Sequence, residues 1–348
     1  MASSKFDSLQ CFRGLAAFGV VIHHSVNVTD VFVQNVPNPL NILFNLGFLG
    51  VDFFFVLSGF IILNSHFDDP KTIQSLKIYG IKRFLRIFPP YWPISITMII
   101  AYMLLPNLSQ GTRAEFSLLS SFLLLPTSAS PALSVAWTLV HEVMFYMIFM
   151  IFFISSRLFI ISVSTWILVI ITTAFFADNI SLSPIIAHII KPINIEFILG
   201  MGVACLIRII HNKYGFLLIL FGFIILIALL FNLSVDKLFA EKYRILFSLP
   251  FSVLVLGSVL VEQKQILKLP CLLVTLGNAS YAIYLIHNPC LSLISRLIGH
   301  FHQFASWWLS MLIGVIGSII LGIIYFNFVE KPLIGLFRRF ITKRYFIV

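Results

Sequence analysis

The chain has 348 residues, of which 59% are hydrophobic and only 10% charged, with a mean hydropathy of +1.03. Soluble domains carry roughly 25% charged residues, so this composition excludes a soluble enzyme and defines a polytopic membrane protein. The net charge of +10 invites a nucleic-acid reading, but its distribution marks topology instead, and no nucleic-acid partner is expected. The four cysteines, Cys11, Cys205, Cys271 and Cys290, are scattered through apolar segments. They show neither metal-ligand spacing nor a disulfide framework, so no metal site is expected. The 37 Phe residues suit a lipid-facing surface.

Crossing a bilayer takes roughly 20 apolar residues. About ten stretches qualify: 12–28, 42–64, 86–106, 135–155, 158–177, 193–211, 215–232, 244–262, 274–297 and 307–329. The first runs past signal-peptide length and ends without a small-residue cleavage site, so it reads as a retained helix. The apolar run 116–125 is too short to cross and reads as re-entrant or interfacial. With the N-terminus in the cytoplasm, sixteen Lys and Arg fall inside and six outside, and Arg13 lies within the first span. That bias places both termini in the cytoplasm. The expected fold is therefore all-α, a single membrane domain over 1–348 with about ten transmembrane helices within 12–329. The basic tail, 330–348, is expected to be cytoplasmic and to meet anionic lipid. No inverted repeat of the transporter kind is visible.

Ionisable residues at membrane depth are costly and are functional candidates by default. The first span holds Arg13 and His24, eleven positions apart. Eleven residues are close to three helical turns, so both face one way, about 16 Å apart along the axis. His23 points about 100° away from His24. In the second span Asp52 lies near mid-membrane among Gly47, Gly50 and Gly59, which thin the helix. An unpaired carboxylate there needs a proton or a partner. Lys82, Arg83 and Arg86 precede the third span, and Pro89 and Pro90 are expected to break the helix as it enters the membrane. The arginines serve either as a positive-inside anchor or as a phosphate clamp.

The fourth span carries Trp137 at its interface end, then Glu142 and Tyr146 on one face. His141 points elsewhere. Glu196 and Lys191 suggest a structural outer-side pair beside a Gly200–Gly202 packing face. The ninth span holds Tyr281, Tyr284 and His287, and Pro289 should kink it. By helix counting His24, Asp52, Glu142 and His287 fall in the middle or outer half, and Arg13, Arg83 and Arg86 on the inner side. One cavity with a basic cytoplasmic mouth and an acid–base floor accounts for both sets.

Together these motifs resemble acyltransferase family 3, the membrane-bound O-acyltransferases of bacterial surface polysaccharides. The resemblance spans nearly the whole chain. It rests on Arg13-x10-His24, GVDFFFVLSGF (50–60), RFLRIFPPYW (83–92), WTLVHEVMFY (137–146), SYAIYLIHNP (280–289) and EKP (330–332), in order. Thr138 replaces the Ser of the family's Trp-Ser-Leu pattern, a hydroxyl for a hydroxyl. Many members carry a further extracytoplasmic hydrolase-like domain, which is not expected here.

The resemblance implies transfer of an acyl group, usually acetyl, from cytoplasmic acyl-CoA to a hydroxyl of a glycan or lipid-linked saccharide. O-antigen or exopolysaccharide O-acetylation in the bacterial inner membrane is the expected setting. The implied catalytic set is His24 as acid–base or acyl-carrying residue, with Arg13, Glu142, Asp52 and His287. Arg83, Arg86 and Tyr91 would bind the coenzyme, and Trp137, Tyr146 and Tyr281 the acceptor. The alternative is a proton-coupled transporter or flippase with Asp52, Glu142 and His287 as its relay.

Overall fold

The computed structural model describes residues 6–105, 115–176, 182–264, 269–301 and 306–345. Lys5, Arg113 and Lys268, which enter the charge bias, lie outside the described residues. In chain order the helices are α1 (Asp7–Phe32), α2 (Asn38–Asn45), α3 (Leu49–His66), α4 (Ile73–Leu104), α5 (Leu118–Leu123) and α6 (Trp137–Phe149). Next come α7 (Ser156–Phe176), α8 (Pro184–Ile189), α9 (Ile195–Leu206), α10 (Gly215–Asn232), α11 (Val235–Phe239) and α12 (Glu241–Lys264). The last are α13 (Cys271–Asn278), α14 (Ser280–His300), α15 (Trp307–Tyr325) and α16 (Lys331–Tyr345), with a π-helical turn over Phe326–Glu330. Among the described residues there is no strand, only an isolated bridge between Phe116 and Ser130.

The protein is all-α and polytopic. Among the described residues eight helices are long and apolar enough to cross a membrane, against the ten expected. The span expected at 193–211 is a short apolar helix, Pro192–Leu206. The span expected at 274–297 is divided between α13 and α14. His287, Asn288, Ser295 and Arg296 on α14 dilute its hydropathy. The 116–125 run forms only the six-residue α5, short as expected.

Three features position the helices that carry the site. Glu262 of α12 caps the start of α1. Its carboxylate accepts from the backbone N–H of Asp7 (2.6 Å) and Ser8 (3.2 Å), and from the Ser8 hydroxyl. A negative charge there meets the positive end of the helix dipole. Next, α3 and α9 touch backbone to backbone. A Cβ on Gly59 would stand 1.9 Å from the Phe197 carbonyl oxygen, and one on Gly200 1.9 Å from that of Val56. Gly202, expected on the same face, meets nothing within 4 Å. Finally, α4 continues unbroken through Pro89, Pro90 and Pro93, contrary to the expected break. Neighbouring helices hold the proline segment from the side: Tyr281 donates to the Ile87 carbonyl (2.9 Å) and Tyr325 to that of Pro90 (2.6 Å). α14 likewise runs on through Pro289.

Much of the aromatic content lies inside rather than on the lipid face. Phe197 stacks on Phe145 at 4.5 Å and packs against Phe55 at 4.5 Å between ring centroids. The helices turned outward are α7 and α10, with 17% and 11% of their apolar windows buried.

Candidate active site

Two cavities lie end to end along α1, α4 and α14. The first, about 120 Å³, is lined by Arg13, Arg83, Arg86, Glu142, Tyr146 and Tyr281, with Ser58, Thr138 and Tyr284. The second, about 770 Å³, is lined by His24, Asn27, Ser134, Trp137, Asn288 and Arg296. On each of α1, α4 and α14 the residues of the first cavity precede those of the second, so these three helices run in one direction. On α6 the order is reversed: Trp137 lies at the second cavity, Glu142 and Tyr146 at the first. This alternation is what successive membrane crossings require.

In the first cavity the three arginines are held differently. Arg86 donates to Glu330 at 2.9 Å, and Glu330 is 1% exposed. The Arg86 guanidinium also lies 5.1 Å from the Tyr281 ring. Arg83 donates to His66 Nε2 at 3.2 Å, and His66 Nδ1–H donates to Asp69 at 2.7 Å. It rests between the rings of Tyr79 and Tyr146, at 5.5 and 5.7 Å. Arg13 lines the same cavity from α1. Glu142 accepts from the Tyr146 hydroxyl at 2.5 Å and from Ser58 at 3.1 Å, which bears out the shared face of positions 142 and 146.

A small hydrogen-bonded wall separates the cavities. The Tyr284 and Thr138 hydroxyls share a hydrogen bond at 2.8 Å, and the one that accepts it donates to the Val135 carbonyl, which lies 3.2 Å from Tyr284 and 2.9 Å from Thr138. Tyr284 and Thr138 face the first cavity and Val135 the second.

Beyond the wall stands an imidazole pair. The His24 ring lies 5.1 Å from that of the buried His287, between centroids. His287 Nδ1–H donates to the Ile283 carbonyl at 3.2 Å. In a neutral ring this leaves Nε2 as the lone-pair nitrogen, and that nitrogen is buried with no hydrogen-bond partner. Asn288 donates to the Ser134 hydroxyl at 2.5 Å beside the pair. His23 faces Phe48 instead, at 6.1 Å, and does not line the cavity, as helix counting requires.

Several expectations need correction. Asp52 is not at either cavity. Its Oδ1 accepts from Arg244 Nε (3.0 Å) and Nη2 (2.8 Å) of α12, and it is fully buried. Glu196 of α9 adjoins that pair, rather than the cluster serving His24. Glu142 belongs with the arginines and not with His24, so the expected acid–base floor is divided among three places. The relay expected of a transporter is divided in the same way. Tyr91 does not line the arginine cavity. It is five residues beyond Arg86, about 140° around the helix, and its hydroxyl donates to the Ser121 carbonyl at 2.8 Å, anchoring α5. Trp137, Tyr146 and Tyr281 do not form one subsite, since Trp137 stands at the His24 cavity and the two tyrosines at the arginine cavity. His141 does point elsewhere, to Asn194 at 3.0 Å.

Asp52 therefore reads as a structural residue. Asp52→Asn is expected to destabilise the protein by about 3 kcal/mol, the low end for breaking a buried ion pair, because Glu196 remains beside Arg244. Thermal unfolding in detergent checks this. Unchanged stability with lost turnover would return Asp52 to the chemistry.

The fold is that of a polytopic membrane protein with an arginine-lined and a histidine-lined cavity on either side of the Tyr284–Thr138 hydroxyls. Residues 6–327 match the acyltransferase domain of acyltransferase family 3, and the chain belongs to that family. It is 27% identical over 310 residues to the exopolysaccharide production protein ExoZ of Rhizobium meliloti (strain 1021), covering 84% of this chain and 90% of that protein. No solved structure matches the chain. Helix counting missed His66, Glu330, Asn288 and Arg244. For His66 a local signal existed in Asp69 three residues on; for the others the partner lies far away in sequence.

Proposed function

We propose that this acyltransferase takes an acyl group, acetyl in the first instance, from cytoplasmic acyl-CoA and delivers it to a hydroxyl of a surface glycan or its lipid-linked precursor. The observation that carries this reading is the end-to-end pair of cavities, one with three arginines and one with two imidazoles. The name of the Rhizobium meliloti relative favours exopolysaccharide over O-antigen as the class of acceptor. The setting is the bacterial inner membrane, with the arginine cavity and both termini on the cytoplasmic side, in line with the basic bias.

The coenzyme's phosphates meet Arg83 and Arg86, whose planar forks suit phosphate oxygens. A cavity of about 120 Å³ is small beside the roughly 300–1,000 Å³ of most ligand pockets. It suits the thin pantetheine arm and leaves the nucleotide at the mouth. The thioester reaches the His24 cavity past Thr138 and Tyr284, whose hydroxyls must part. There His24 takes the proton of the acceptor hydroxyl. The oxygen attacks the thioester carbon, the C–S bond breaks, and the proton passes on to the leaving thiolate. His287, rather than a carboxylate, is the group beside His24 that shares the proton.

Purified protein in lipid nanodiscs tests this reading. Free coenzyme A should appear from acetyl-CoA when a polysaccharide acceptor is present, with the ester recovered on the glycan. Intact acetyl-CoA in the presence of that acceptor would overturn it.

A further inference from the structure

Arg296 has no part in moving the acyl group, yet it lines the His24 cavity. That cavity is a groove with one face of α1 (His24, Asn27, Val31, Phe32) opposite one face of α14 (Asn288, Ser292, Arg296). The Arg296 guanidinium lies 4.2 Å from the Phe32 ring. Phe32 is eight residues beyond His24, about 12 Å along the helix. The charge therefore stands at the far end of the groove, held over an aromatic face. A cation so stacked keeps its edge N–H donors available to a ligand.

The groove itself offers this charge no counter-ion. Among the described residues no carboxylate lines it, and Val31, Leu293, Met98 and Ala101 contribute apolar stretches of its wall. Among the described residues Arg296 enters no ion pair, whereas Arg86 has Glu330 and Arg244 has Asp52. A guanidinium between low-dielectric walls focuses a positive potential into the space it faces.

We infer that the acceptor is anionic: Arg296 binds a carboxylate or phosphate of the glycan while the hydroxyl to be acylated lies at His24. This rests on the His24 cavity being the acceptor site. The anion belongs either to an acidic sugar or to the phosphate of a lipid-linked saccharide. In both cases it lies farther from the reacting hydroxyl than one sugar ring reaches, so the acceptor is an oligosaccharide or a lipid-linked saccharide and not a free monosaccharide.

The full-length protein in nanodiscs is assayed with three acceptors: a neutral oligosaccharide, one of equal size bearing a uronate, and a polyprenyl-pyrophosphate-linked saccharide. In Arg296→Gln the preference for a charged over the neutral acceptor, as a ratio of kcat/KM, should fall about tenfold, with the loss in KM. Arg296→Lys should recover part of it. Whichever charged acceptor shows the loss identifies the source of the anion. The same acceptors are titrated for binding in a His24→Ala background, so that the result does not depend on turnover. Salt-sensitive binding of a charged acceptor that Arg296→Gln weakens supports the inference even where no transfer is seen. An unchanged preference, or equal weakening for neutral and charged acceptors, overturns it.

Discussion

His24→Ala is expected to cost acyl transfer about a hundredfold or more, while the protein still folds and still binds its donor. The reason is positional. His24 faces the larger of the two cavities, with the His287 ring 5.1 Å away, and lies about 16 Å along α1 from Arg13 in the arginine-lined cavity. Removal of a base that takes the acceptor proton costs about 10²–10⁴-fold, and loss of a nucleophile costs more. His23→Ala should be mild, because that ring packs on Phe48 outside the cavity. His287→Ala should fall between the two. A labelled acetyl group trapped on the protein before acceptor is added, and absent in His24→Ala, would assign covalent carriage over proton transfer. Substantial turnover in His24→Ala, or a null His23→Ala, would contradict the assignment.

Arg86→Ala is expected to fail by losing its fold, and Arg83→Ala by losing its donor. Helix counting treats the two arginines alike, three residues apart ahead of the same span, but their partners separate them. Arg86 neutralises Glu330, which is 1% exposed. Removing one member of a buried pair strands the other charge and costs about 3–5 kcal/mol. Glu330→Gln combined with Arg86→Ala should restore much of that stability. Arg83 donates to a histidine rather than a carboxylate, so its removal strands no charge. Its loss should weaken acyl-CoA binding by about 1–3 kcal/mol, the scale of hydrogen bonds to charged groups. Lys should rescue Arg83 only in part, lacking the bidentate fork. Thermal unfolding and donor titration, run on both variants and on the double variant, separate these outcomes. Equal stability of Arg86→Ala and the parent would remove Glu330 from the account.

Helical periodicity reaches some features of this protein and not others. Arg13 and His24, and Glu142 and Tyr146, share faces because both members of each pair lie on one helix. The need of Asp52 for a partner was legible, but that partner, Arg244, is 192 residues away on α12, and no local rule links them. The Arg86–Glu330 pair spans 244 residues and passes through a π-helical turn that shifts Glu330 off the α-helical register. Tyr91 was misplaced for a different reason: a motif read as a string ignores that position 91 faces away from position 86. The proline run of α4 is held by contacts distant in sequence, the hydroxyls of Tyr281 and Tyr325 reaching it from α14 and α15.

In the proposed reaction the acyl group enters on the arginine side and leaves on the histidine side. Proteoliposomes test it most directly, with acetyl-CoA sealed inside and a polysaccharide acceptor outside, neither able to cross the bilayer unaided. Acetyl ester is expected on the outer glycan, with free coenzyme A retained within the vesicles and no product with His24→Ala. Product formed only when donor and acceptor share one side of the membrane would contradict it.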